Sequence, residues 1–201
     1  LYIPEMLELS YYKGLSCYLL GKPEESIAAY KKGLELRSED ASMDLVSNVY
    51  NLLGDTYHEL NMNKECMQAY DSALVYNPSN IAVLNNYAYY LSMEGKNLKK
   101  AYNMSRKTIE AEPNNSTYLD TFGWILFLQR KPDQAKPYFK QAMLYGGKDS
   151  PVILDHYAEV LYALKEYDMA FVYWNLARQK NAGDIPDLDE RIEARKKAIN
   201  R

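Results

Sequence analysis

The chain has 201 residues, 47% hydrophobic and 25% charged, and its 27 acidic and 24 basic residues leave a net charge of −3. That size and apolar content can bury a core and argue against disorder, and the charge balance lacks the basic stripe by which proteins hold nucleic acid. No apolar run approaches the roughly 18 residues of a membrane span, and two cysteines, Cys17 and Cys66, offer neither a disulfide framework nor metal-ligand spacing.

Internal repetition organises the rest. Five segments align, at 7–40, 47–80, 81–115, 116–149 and 151–184, and each reads as two helices joined by a turn. In the first, Pro23 marks the start of the second helix, where proline is tolerated. Six extra residues, 41–46 (ASMDLV), precede the second segment and are expected to lengthen its first helix. Pro78 and Pro113 close the second and third segments, and one residue is inserted near Asn97 in the third. In the fourth, Pro132 starts a helix, Pro137 predicts a kink or a delayed start, and Gly146 and Gly147 suit a C-terminal cap. After Pro186, residues 187–199 (DLDERIEARKKAI) read as one more amphipathic helix, with Leu188, Ile192 and Ile199 towards the last repeat and the charges in water.

Three columns of small residues recur. The eighth positions are Gly14, Gly54, Ala88, Gly123 and Ala158, and the twentieth are Ser26, Cys66, Ala101, Ala135 and Ala170. Gly33, Ala73, Thr108, Ala142 and Ala177 stand near the twenty-seventh. Helices approach closely only where side chains are small. Larger residues alternate with them: Tyr30, Tyr70, Phe139 and Trp174, with Ser105 the exception.

This pattern resembles the tetratricopeptide repeat, a 34-residue helix–turn–helix unit. Segment 47–80 carries it most fully, in YNLLGDTY followed by Cys66, Tyr70, Ala73 and Pro78, and the likeness covers about nine-tenths of the chain. NNYAYYLSMEGKNLKKA and YLDTFGWILF are also similar to C-terminal arrays of bacterial envelope-associated proteins of this family. The resemblance implies an all-α superhelix, a solenoid of five helix pairs with a C-terminal capping helix, as one domain over 1–201. Lys13, where the family has leucine, departs from the pattern and suits the ragged end of a longer array. The opening residue, Leu1 rather than Met, fits a mature or excised segment. The envelope likeness favours a periplasmic or outer-membrane-associated location over a cytoplasmic one.

In this family the first helices line a concave surface. Carrying over its positions gives a groove of Asn51, Asp55, His58, Asn85, Tyr89, Asp120, Trp124, Phe127, Asp155, Glu159 and Tyr162. Asp120 and Trp124, four apart, share one helix face. The competing readings are ordinary: tyrosines at helical spacing as core-edge residues, Trp124 packed on the next repeat, and Asp120 and Asp155 paired with neighbouring backbone. The groove positions hold acids and no lysine or arginine, so the implied partner is a protein or peptide, a basic one by charge, and not a terminal carboxylate held in a basic clamp. Lysines such as Lys31, Lys99 and Lys196 fall on solvated faces.

Chemistry is thinly represented. His58 and His156 are the only histidines and neither joins a nucleophile motif. His58 with Asp55 and Glu59 could coordinate a cation, but a metal site needs three or four ligands that converge, which weighs against it, and His156 reads as a packed residue. No glycine-rich phosphate loop is present. The sequence therefore reads as a non-catalytic scaffold with no cofactor and no metal. Two alternatives stand beside it: a spacer or self-association module of a longer envelope protein, and an accessory domain of an upstream enzyme.

Overall fold

In the computed structural model, residues 6–95, 97–181, 185 and 187–199 are described, and among them every regular element is helical. The helices are α1 (Met6–Leu19), α2 (Pro23–Glu35), α3 (Met43–Glu59), α4 (Asn63–Tyr76), α5 (Ile81–Met93), α6 (Leu98–Ala111), α7 (Ser116–Leu128), α8 (Pro132–Leu144), α9 (Pro151–Ala163), α10 (Tyr167–Asn181) and α11 (Leu188–Ile199). A 3₁₀ turn at Gly147–Asp149 separates α8 from α9. The fold is an α-α solenoid of helix pairs ending in a capping helix. The end of the fifth segment, 182–184, and Pro186 lie outside the described residues.

Local chemistry sets the helix ends. The side chains of Ser42, Asn115 and Ser150 accept backbone N–H groups in the first turns of α3, α7 and α9. Pro23, Pro132 and Pro151 occupy first-turn positions whose N–H would have no helical partner. The inserted 41–46 does lengthen α3, to 17 residues against 14 for α1. Pro137 lies inside α8 without delaying its start at Pro132.

Each pair turns at a left-handed residue: Gly21, Asn61, Gly95, Arg130 and Lys165, with φ of +69°, +56°, +63°, +65° and +64°. In four of the five turns the left-handed N–H bonds the carbonyl three residues back, and the next N–H reaches five back. Arg130 to Phe127 with Lys131 to Leu126, and Lys165 to Tyr162 with Glu166 to Leu161, are two of these, each at 2.9–3.0 Å. This is the Schellman closure, which satisfies the last carbonyls of a helix. The inserted Asn97 is itself left-handed, at φ +51°.

The small and large columns interlock. The Tyr30 ring lies against Gly14, Tyr70 against Gly54 and Phe139 against Gly123, so that a Cβ added at those glycines would meet a ring carbon at 2.2, 2.8 and 2.8 Å. Tyr30, Tyr70, Phe139 and Trp174 are completely buried. The chain divides into two compact units between Tyr87 and Ala88, inside α5. The core of the second gathers Leu119, Phe122, Phe139, Leu154, Tyr157, Leu161, Trp174, Leu188 and Ile192. Leu188 and Ile192 thus seat α11 on that core, whereas Ile199 is exposed.

Candidate functional site

In the first unit, α3 presents Asn51, Asp55 and His58, one helical turn apart in succession. Asp55 accepts hydrogen bonds from the Tyr70 hydroxyl, from Asn86 Nδ2 at 3.2 and 3.3 Å, and from Asn51 Nδ2 at 3.4 Å. Burial pushes its carboxyl up to about 6, against the opposing hydrogen bonds of Tyr70 and Asn86. Asn86 Nδ2 also faces Asn51 Oδ1 at 3.5 Å. Asn85 is buried beside it, and His58 is half-buried. Glu59 is exposed, and burial together with the charges of Glu59 and Asp55 raises the nearby Tyr18 phenol.

In the second unit, Asp120 and Trp124 of α7 both address His156 of α9. Asp120 Oδ1 lies 2.9 Å from His156 Nδ1, and the Trp124 indole stacks on the imidazole, 4.0 Å between centroids and 13° from parallel. Burial of the ring works against its charge, but the charge and hydrogen bond of Asp120, with Asp155, outweigh it and raise the His156 pKa. Trp124 is half-buried and also stacks on Phe127 at 5.0 Å. Its indole N–H is buried with no acceptor among the described residues.

Asp155 and Glu159 are likewise engaged internally. Asp155 accepts Trp174 Nε1 at 2.9 Å and both of its oxygens lie 2.9 Å from Arg191 Nη2. Glu159 accepts Arg191 at 2.8 Å and Arg195 at 2.9 Å. The Arg195 guanidinium also covers the Tyr162 ring at 4.4 Å. The expectation that the charges of α11 face water is therefore corrected. Two of its arginines turn onto α9, because two buried carboxylates there need counter-charges.

A shared rule emerges. A fifth-position residue of one repeat meets a residue 35 or 36 positions on: Asn51 with Asn86, Asp120 with His156, Asp155 with Arg191. These polar groups staple successive first helices together. Sequence reasoning named Asn51, Asp120, Asp155 and Glu159 but missed Asn86, His156, Arg191 and Arg195 as their partners. The available signal was a polar residue one place further along the next repeat. Of the remaining groove residues, Tyr89, Phe127 and Tyr162 are half-buried. Burial and the charge of Asp120 raise the Tyr89 phenol. Among the described residues no group of three or more His, Cys, Asp or Glu could hold a metal ion, and no helix is long and apolar enough to cross a membrane.

Stacked helix pairs with interlocking small and large columns and inter-repeat staples define a helical repeat protein. Residues 7–40 and 47–80 match the tetratricopeptide-repeat model, so the chain carries tetratricopeptide repeats. It is 27% identical over 171 residues to the type IV pilus assembly protein PilF of Pseudomonas aeruginosa, over 83% of this chain and 64% of that protein's length. The structure of that PilF superposes with a TM-score of 0.72 at 24% identity, covering 88% of this chain and 77% of the other. A tetratricopeptide-repeat protein of Thermus thermophilus superposes with a TM-score of 0.70 at 16% identity, covering 94% and 98%. At these identities the superpositions establish the fold. A shorter match, 36% identical over 73 residues, is to the uncharacterized protein ycf37 of Pyropia yezoensis, over 36% of this chain and 40% of that one.

Proposed function

We propose that the protein is a non-catalytic scaffold that holds a protein or peptide segment on the first helices of its repeats, chiefly through half-buried aromatic side chains. Tetratricopeptide repeats are a protein-binding fold, and repeat arrays bind extended partners on such surfaces. One observation carries the finer reading. On the same helices, Asp120, Asp155 and Glu159 are taken up by neighbouring helices, whereas Tyr89, Phe127 and Tyr162 stay partly open. In the first unit the exposed Glu59 beside Tyr18 is an acid open to a basic segment, whereas Asp55 is bonded to Tyr70, Asn86 and Asn51. The likeness to a pilus assembly protein favours a partner from an assembling cell-envelope structure, and with it a periplasmic or outer-membrane-associated location.

The test is affinity capture from the native host with the wild type and with Phe127→Ala/Tyr162→Ala. Aromatic anchors at interfaces are frequent hot spots worth roughly 2 kcal/mol or more each. The variant should lose partners the wild type retains while still unfolding cooperatively. A variant that keeps every partner removes the reading.

A further inference from the structure

We infer that the pocket at the C-terminal ends of α7 and α9, beside α11, is a docking site for an acidic peptide segment that carries an aromatic side chain. The inference rests on the protein-binding reading and gives part of that surface a partner chemistry. The pocket encloses about 650 Å³ within the second unit, inside the roughly 300–1,000 Å³ range of ligand sites. Phe127, Tyr162 and Tyr167, with Leu128 and Pro132, give it an apolar and aromatic lining. Tyr162 and Tyr167 lie 5.1 Å apart and tilted, a geometry that accepts a third ring edge-on or offset.

The rim is cationic. Arg130, Lys165 and Arg195 line the pocket, and its single acid, Glu159, is already neutralised by Arg191 and Arg195. Arg195 is fixed between Glu159 and the Tyr162 ring. Arg130 and Lys165 are exposed and form no ion pair among the described residues. Both hold left-handed turn positions that glycine or asparagine fills in the other three pairs, so their long cationic side chains contribute nothing to the turn itself. A local positive rim on a chain of net charge −3 selects a negative segment and repels a basic one. These cations stand on turns and on the capping helix, not on the first-helix positions of a terminal-carboxylate clamp. A ring inserted against Tyr162 and Tyr167 would leave flanking carboxylates at the rim, facing Arg130 and Lys165.

The experiment is fluorescence anisotropy on the full chain with a fluorescein-labelled Asp-Glu-Phe-Asp-Glu peptide, at low and high salt. Two further peptides, Asp-Glu-Ala-Asp-Glu and Lys-Lys-Phe-Lys-Lys, and the charge-reversed protein Arg130→Glu/Lys165→Glu complete it. Both substituted residues are exposed, and circular dichroism checks that the variant keeps its fold. The phenylalanine-bearing acidic peptide should bind saturably and weaken with salt, and it should bind the variant at least about tenfold less tightly. The alanine and lysine peptides should bind poorly. Absence of saturable binding, equal binding to the variant, or equal binding of either control peptide overturns the proposal. If that happens while Phe127→Ala/Tyr162→Ala still sheds host partners, the pocket assignment alone fails and the wider scaffold reading stands.

Discussion

Asp55 shows how a single side chain can report the environment of the repeat. Its carboxyl rises from 3.8 to about 6 because burial outweighs the hydrogen bonds of Tyr70 and Asn86. The folded chain thus binds that proton more tightly than the unfolded one. Its contribution to stability is complete below the unfolded value of 3.8 and is lost as the pH rises through about 6. Asp55→Asn removes this dependence, so wild type should lose ground to the variant between about pH 4 and pH 7. A shift of about two units at roughly 1.4 kcal/mol per unit bounds the change near 3 kcal/mol. Urea unfolding across that range measures it, and parallel profiles would contradict the assignment. His156 has the same sign in a higher window. Its pKa is raised from 6.5, so the stabilisation from Asp120 is full below that value and fades as the pH climbs through the folded one. Asp120→Asn should therefore cost more in mildly acidic than in alkaline buffer, on the order of 1–3 kcal/mol at the acidic end. Equal losses at both ends would show that the imidazole carries no charge there. The helix register visible in the sequence placed Asp120 and Trp124 on one face. It did not reveal that His156 meets both, because that contact depends on how repeats stack.

Between helices, the size columns were legible because close approach demands small residues whatever the partner. Their consequence is strong at Gly14, where a Cβ would sit 2.2 Å from the ring of Tyr30, itself completely buried. Gly14→Ala should overpack the α1–α2 contact and cost roughly 1–3 kcal/mol in thermal or urea unfolding. An unchanged midpoint would mean that the ring can move aside. The capping helix was legible as amphipathic, but its charge pattern concealed its attachment. With only Leu188, Ile192 and the neighbouring Ile185 buried, α11 relies on Arg191 and Arg195. Arg191→Ala leaves Asp155 and Glu159 with fewer counter-charges. In hydrogen exchange it should release the amides of α11 well before those of α9. Protection of α11 equal to wild type would show that apolar seating alone suffices. The turns hid a similar detail: Arg130 and Lys165 have no intrinsic preference for the left-handed region, and only their register with Gly21 and Asn61 exposes the shared Schellman closure.

For the molecule as a whole, the repeat was readable because five tandem copies of a weak pattern reinforce one another. The division of labour on the first helices was not, since acids and aromatics occupy the same columns and only three-dimensional neighbours separate staples from open surface. The central claim is that the open aromatics are the binding elements. Photocrosslinking tests it most directly, with a photoreactive phenylalanine placed singly at Tyr89, Phe127 or Tyr162 and, as controls, at the exposed Leu144 of α8 or Leu176 of α10. Crosslinks in host cells should join partner protein to positions 89, 127 and 162 and spare 144 and 176. Crosslinks confined to 144 and 176, or none from the first-helix positions, would contradict it.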